Sequence, residues 1–155
     1  MKTKLCCDVL RRLQGKSLVT AESLTGGGIG TALTAIPGSS AVYKGGVISY
    51  TNTVKEAILG VPAETLEICG AVSEQTAGYM AGGVRKLLQA DISVAVTGLA
   101  GPDGDEYGNP VGTVFIAYED RHGSCVRHCV FSGSRAEVRE QTIETALKLI
   151  LQHNP

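Results

Sequence analysis

The chain has 155 residues, 43% hydrophobic and 19% charged, with a formal net charge of −1; that supports one core without disulfide staples and excludes a disordered or coiled-coil chain. Near-neutral charge with no basic run leaves little electrostatic basis for binding nucleic acid. No apolar stretch approaches the ~18 residues that span a bilayer, and Met1 to Gln14 is charged and amphipathic rather than a signal segment, so the expectation is a cytoplasmic, single-domain protein (residues 1–155) that binds neither nucleic acid nor membrane.

In chain order, Cys6, Val9, Leu10 and Leu13 recur at helical spacing and predict a first helix over about residues 2–14, stopped by Gly15. Ser17 to Glu22 reads as a short strand. Ser23 to Gly26 is a sharp turn, and Gly27 to Ala35 a helix ended by Pro37-Gly38. Gly45 to Thr51 reads as a strand, followed by a short helix at about Asn52–Leu59. Ser73 is a helix N-cap candidate, and Ala77, Met80, Ala81, Val84, Leu87 and Leu88 form one apolar stripe behind it. Ile92 to Val96 is apolar on both faces, as a strand covered on both sides must be. A glycine-punctuated loop from Gly98 to Pro110 precedes strands at about Val111–Tyr118 and Cys125–Phe131, with His122-Gly123 in the hairpin turn. A last helix covers about Arg135 to Gln152. The order α-β-α-β-α-α-β-β-β-α predicts a three-layer α/β/α sandwich with a mixed, mostly parallel sheet of about five strands.

Five cysteines, an odd number in which Cys125-x3-Cys129 resembles half a metal knuckle with no second half, read as small buried apolar side chains in a reducing compartment. Glycine is over-represented at 20 residues, clustered at Gly26-Gly27-Gly28, Gly45-Gly46, Gly82-Gly83 and across Gly98 to Gly112. Glycines at turns between apolar runs point to backbone passing close to a ligand.

Open α/β sheets bind ligands where strands end, and three segments have that character. In Ala21-Glu22-Ser23-Leu24-Thr25-Gly26-Gly27-Gly28 a strand delivers Ser23 into a turn that opens a helix. Either Ser23 or Thr25 caps that helix, or the turn holds an oxyanion or phosphate; it is neither a Walker loop nor a Gly-x-Ser-x-Gly elbow. Ser49 to Lys55 places a phenol, an amide and an ammonium within one short stretch. Lys55 is either a solvated surface lysine or, if buried, a general base of lowered pKa. Thr97 to Gly104 leaves the most buried strand and lines the same edge; Asp103, Asp105 and Glu106 lack the further oxygen ligands of a calcium loop. The three histidines pair with no serine or cysteine in a triad pattern.

Together these segments resemble the CinA C-terminal domain family, the nicotinamide-nucleotide amidases (NMN deamidases). The resemblance rests on Ala21 to Gly27, Ile36-Pro37-Gly38-Ser39-Ser40, Gly45 to Asn52, Lys55, Leu59-Gly60-Val61, Gly70 to Glu74, Thr97 to Gly104, Pro110 to Val114 and Phe131 to Arg135, in the family's order over nearly the whole chain. It implies hydrolysis of the carboxamide of nicotinamide mononucleotide to nicotinate mononucleotide and ammonia, without metal or cofactor, by a homo-oligomer. It implies Ser23 as nucleophile, Lys55 as its base, and Tyr50 as a placing or protonating group. A weak hydroxyl needs such a base, and a neutral lysine serves where no histidine stands by. Thr25, Gly26 and Gly27 become candidates for oxyanion and substrate contacts, with Asn52, and Thr97, Gly98 and Gly101 for the wall beside the pyridinium ring. Arg135 and Arg139, one helical turn apart, are either phosphate ligands or solvated surface arginines. The chain looks like the stand-alone form. It departs from the family pattern at Asp105 (usually glycine), Asn109 (usually lysine), Cys69 (usually histidine) and Thr51 (commonly serine). Two other readings remain: a nucleotide-binding or regulatory domain without catalysis, and an amidase for another small amide.

Overall fold

In the computed structural model, which describes residues 1–155, the elements are α1 (Lys2–Arg12), β1 (Leu18–Glu22), α2 (Gly28–Thr34), β2 (Tyr43–Ile48), α3 (Asn52–Ala57), α4 (Ala63–Ile68), α5 (Glu74–Leu87), β3 (Ile92–Gly98), β4 (Thr113–Asp120), β5 (Gly123–Val130) and α6 (Arg135–His153). A 3₁₀ turn at Ser39–Ala41 joins α2 to β2. The sequence expectation lacks α4. That helix has six residues and buries only Leu66, so it presents no apolar stripe from which to read a period.

The sheet order is β2-β1-β3-β4-β5. β1 pairs in parallel with both β2 and β3, whereas β3–β4 and β4–β5 are antiparallel. The sheet is mixed, as expected, but only half of its ladders are parallel. The cause is the connection from β3 to β4: it carries no crossover helix, and without one the chain can only return antiparallel.

Helices cover both faces. Leu5, Val9 and Leu13 from the α1 region, Ile29 and Leu33 of α2, and Val138, Ala146, Leu147 and Ile150 of α6 pack on one face with Leu18, Val94, Val96 and Ile116. Leu59, Leu66, Ala77, Met80 and Val84 pack on the other with Val19, Ala21, Ala95 and Ala117. β1 and β3 therefore bury nearly every residue, which is why Ile92 to Val96 shows no alternation. Gly83 of α5 is needed here, because a Cβ would strike the backbone of Leu59.

Three parallel strands end on one edge. Glu22 lies opposite Ile48 on one side and Val96 on the other. The ladder continues one step further: the Ser49 amide donates to the Glu22 carbonyl (2.9 Å) and the Ser23 amide to the Val96 carbonyl (3.0 Å). The segments singled out in the sequence thus emerge side by side.

Candidate active site

Ser23 stands one residue beyond β1. Its amide is held by Val96, and the Gly26 amide folds back onto the Ser23 carbonyl at 3.0 Å. Gly26 and Gly27 have φ of 55° and 96°, which side-chain-bearing residues rarely adopt. Of the two readings of this turn, capping is excluded. Residue Gly27 occupies the N-cap of α2, with no side-chain cap, while Thr25 Oγ1 donates instead to Glu22 at 2.7 Å.

Lys55 is carried by α3 and is only 1% exposed. Its Nζ lies 2.9 Å from Ser23 Oγ, 2.7 Å from the Ser49 carbonyl and 3.3 Å from the Tyr50 carbonyl. It forms no ion pair. Burial without a counter-charge disfavours the ammonium and pushes the pKa down to about 8. In the neutral amine two N–H bonds serve the two carbonyls, and the remaining lone pair faces Ser23 Oγ. Ser23 itself is 7% exposed.

These two side chains open into a cavity of about 390 Å³, a size suited to a small ligand. Ser23, Leu24, Tyr50, Lys55, Thr97, Gly98, Gly101, Asp103 and Arg135 all line it. Thr97 contributes backbone, since its hydroxyl donates to the Ala71 carbonyl at 2.8 Å. Gly98 admits no Cβ, which would meet the Thr113 carbonyl at 2.7 Å. Tyr50 is 57% exposed at the rim. Arg135, at the first position of α6, donates to the Gly101 carbonyl (2.7 Å) and to Tyr50 Oη (3.1 Å), so three segments meet at the mouth.

Five of the expected residues do not line this cavity: Thr25, Gly26, Gly27, Asn52 and Arg139. Thr25 is buried beneath the turn, because its hydroxyl turns inward to Glu22. The Gly26 amide is taken by the Ser23 carbonyl, and Gly27 faces a smaller cavity beside β2. Asn52 is exposed on the first turn of α3. Arg139 is exposed and does not line the cavity, but its guanidinium is engaged by the serine turn: its Nε donates to the Leu24 carbonyl at 3.0 Å and its Nη2 to the Thr25 carbonyl at 3.2 Å. Two residues were missed by sequence reasoning. Leu24 lines the cavity, and its amide and that of Thr25 donate to no acceptor in the protein. Glu22 is a buried carboxylate directly before the serine, and an acid at the end of an otherwise uncharged strand was the available signal.

The loop after Gly104 holds two of the family departures together. Asp105 accepts from the Tyr107 and Asn109 amides at 3.1 and 3.0 Å, and the Asn109 side chain donates to Asp105 at 2.8 Å and to the Val72 carbonyl at 3.1 Å. A larger depression of about 1150 Å³ lies over α5, between the end of α3 and the β4–β5 hairpin, away from Ser23 and Lys55. No group of three or more His, Cys, Asp or Glu side chains converges where it could hold a metal ion, and no helix is long and apolar enough to cross a membrane.

The five-stranded mixed sheet with helices on both faces is also the fold of known relatives. The chain belongs to the CinA C-terminal domain family, whose profile matches residues 2–153. It is 45% identical over 138 residues to a CinA-like protein of Thermotoga neapolitana, covering 89% of this chain and 34% of that protein. The chain spans about a third of the length of such curated relatives. The crystal structure of a competence or damage-inducible protein from Enterobacter asburiae superposes with a TM-score of 0.97 at 38% identity, covering 100% of this chain and 99% of that one. A competence/damage inducible protein from Agrobacterium tumefaciens gives 0.96 at 41% identity, covering 99% and 96%.

Proposed function

We propose that this protein hydrolyses the carboxamide of nicotinamide mononucleotide to nicotinate mononucleotide and ammonia, with Ser23 as nucleophile and Lys55 as base. The observation that carries the reading is the 2.9 Å contact between Ser23 Oγ and a buried lysine that has no counter-ion. A base poised near neutral pH beside a hydroxyl is what acyl transfer requires.

In the first half-reaction Lys55 takes the Ser23 proton as Oγ bonds to the carboxamide carbon, and the carbonyl oxygen becomes an oxyanion. The unpartnered amides of Leu24 and Thr25 are the nearest backbone donors in sequence to that oxygen. The C–N bond then breaks, and Lys55 returns the proton to the departing nitrogen, which leaves as ammonia. In the second half-reaction Lys55 deprotonates a water that attacks the Ser23 ester. The acid is released and Ser23 regains its proton. Arg135 at the mouth supplies a cation for the phosphate, and the glycine-lined wall at Gly98 and Gly101 admits a flat ring.

The test is ammonia release from nicotinamide mononucleotide by the purified protein. Release that survives a metal chelator and disappears in Ser23→Ala and in Lys55→Ala is expected. Folded protein that binds the nucleotide in calorimetry without turnover would instead make this a binding domain, and turnover of another amide alone would move the substrate.

A further inference from the structure

Two charged side chains outside the cavity grip the turn that carries Ser23 from different elements. Glu22, 2% exposed, accepts from Thr25 Oγ1 (2.7 Å), from the Ile29 and Gly30 amides (2.8 and 3.1 Å) and from Thr20 Oγ1 (3.2 Å). Arg139, reaching over from α6, takes the Leu24 and Thr25 carbonyls. Neither forms an ion pair. Thr25 is thus held by its hydroxyl through a carboxylate and by its carbonyl through a guanidinium.

The peptide unit turns this grip into an orientation. In a trans peptide the N–H points opposite to the C=O. Drawing the Leu24 carbonyl toward Arg139 sets the Thr25 N–H away from α6, with no acceptor in the protein. The Gly26 amide, by holding the Ser23 carbonyl, fixes the Leu24 N–H in the same manner.

We propose that Glu22 and Arg139 are positioning residues, which hold the Ser23–Thr25 turn so that the Leu24 and Thr25 amides meet the oxyanion formed at Ser23. The assignment rests on the serine–lysine reading above and deepens it. It also gives Arg139 a task different from phosphate binding, which stays with Arg135.

The test compares Arg139→Gln, Arg139→Lys, Glu22→Gln and Arg135→Gln on nicotinamide mononucleotide and on the phosphate-free nicotinamide riboside. Oxyanion donors displaced by a fraction of an ångström slow the chemical step without weakening binding. Arg139→Gln is therefore expected to lower kcat about 100-fold on both compounds with KM within about twofold. Glu22→Gln follows the same pattern, and Arg139→Lys, which keeps one donor, recovers part of the rate. Arg135→Gln raises KM for the phosphorylated compound only. A selective KM rise in Arg139→Gln would make Arg139 the phosphate ligand and overturn the proposal, as would an unchanged kcat. A second readout needs no amide substrate. A fluorophosphonate phosphonylates Ser23 Oγ with loss of fluoride, places its oxygen where the oxyanion forms, and is followed by intact mass. If the wild type hydrolyses neither amide, the nicotinamide-nucleotide reading falls, and the labelling rate still decides: slower labelling in Arg139→Gln supports the positioning role and unchanged labelling sinks it. Circular dichroism of each variant separates this from misfolding. If Glu22→Gln does not fold, the two Arg139 variants carry the test.

Discussion

At the residue scale the proposed chemistry depends on the protonation of one amine. A Lys55 pKa of about 8 leaves about a tenth of the molecules with a neutral amine at pH 7. The amidase rate, as kcat/KM, is therefore expected to climb tenfold per pH unit below about 8 and to level off above it, with no dependence on a histidine. The same shift also has a stability consequence, because the folded and unfolded chains release this proton at different pH. The unfolded chain keeps the Lys55 proton up to its ordinary pKa of 10.5, whereas the folded chain releases it at about 8. Between those limits the unfolded state binds more protons, so stability contributed through this residue rises with pH. Below about 8 the buried ammonium opposes folding in full. Lys55→Met should accordingly be inactive yet at least as stable as wild type at pH 7 by urea denaturation. Its advantage should shrink as pH climbs from about 8 toward 10.5. A variant that is markedly less stable at pH 7 would mean that the two carbonyls left without a donor outweigh the relief.

At the element scale, the start of α6 is the piece on which the cavity mouth depends. Ser134 caps it through the Glu137 amide at 3.2 Å, and Glu137 returns a bond to the Ser134 amide at 3.0 Å, which is a complete capping box. Arg135 follows immediately, so the cap fixes where its guanidinium meets Gly101 and Tyr50. Ser134→Ala is expected to lower stability by about 1 kcal/mol and to raise KM more than it lowers kcat. Elements differ in how far the sequence announces them. α5 is capped at Ser73, whose hydroxyl accepts from the Thr76 amide at 3.1 Å, and its expected stripe is buried at Ala77, Met80, Ala81 and Val84 but not at Leu87 and Leu88, which are 51% and 43% exposed at the helix C-terminus. β5 extends over Gly123–Val130 instead of about Cys125–Phe131, because the tight turn falls at Arg121-His122 and pairs Gly123 with Asp120. α4 escapes notice for want of a stripe, as described above.

At the scale of the whole molecule, the site has no half that stands alone. Ser23 follows β1, Lys55 sits on α3, the glycine-containing cavity wall follows β3, and Arg135 and Arg139 come from α6. The segments that carry these groups are held by helices packed on both faces of one sheet, α1, α2 and α6 on one and α4 and α5 on the other. Activity and secondary structure should therefore be lost along one common urea curve. Leu147→Ala, in the core of α6 and far along the helix from Arg135, should move both midpoints together by the equivalent of about 2–5 kcal/mol. Separate midpoints would show that the site can come apart while the sheet persists.

Much of this protein is determined locally and can be read residue by residue. Composition bounds the class, the 3.6- and 2-residue periods mark most of the elements, and a doubly apolar strand at Ile92–Val96 requires cover on both faces. The order of elements brings the strand ends near one another, and Ser23, Tyr50, Lys55, Thr97, Gly98, Gly101 and Arg135, named from the residues together with the family resemblance, line one cavity, whereas Thr25, Gly26, Gly27, Asn52 and Arg139 do not. What the sequence could not decide is where long side chains turn and what they meet. Arg135 and Arg139 are one helical turn apart and chemically the same; α6 places one at the cavity mouth and the other on the carbonyls of the serine turn. Lys55 could have been solvated; packing against β1 and β2 removed its water and its possible counter-ions together. Asp105 and Asn109 read as two unrelated departures, and only the folded loop shows that they bond to each other. Each of these outcomes depends on distances between residues remote in sequence, and such distances are set by the packing of the whole chain and not by any local pattern.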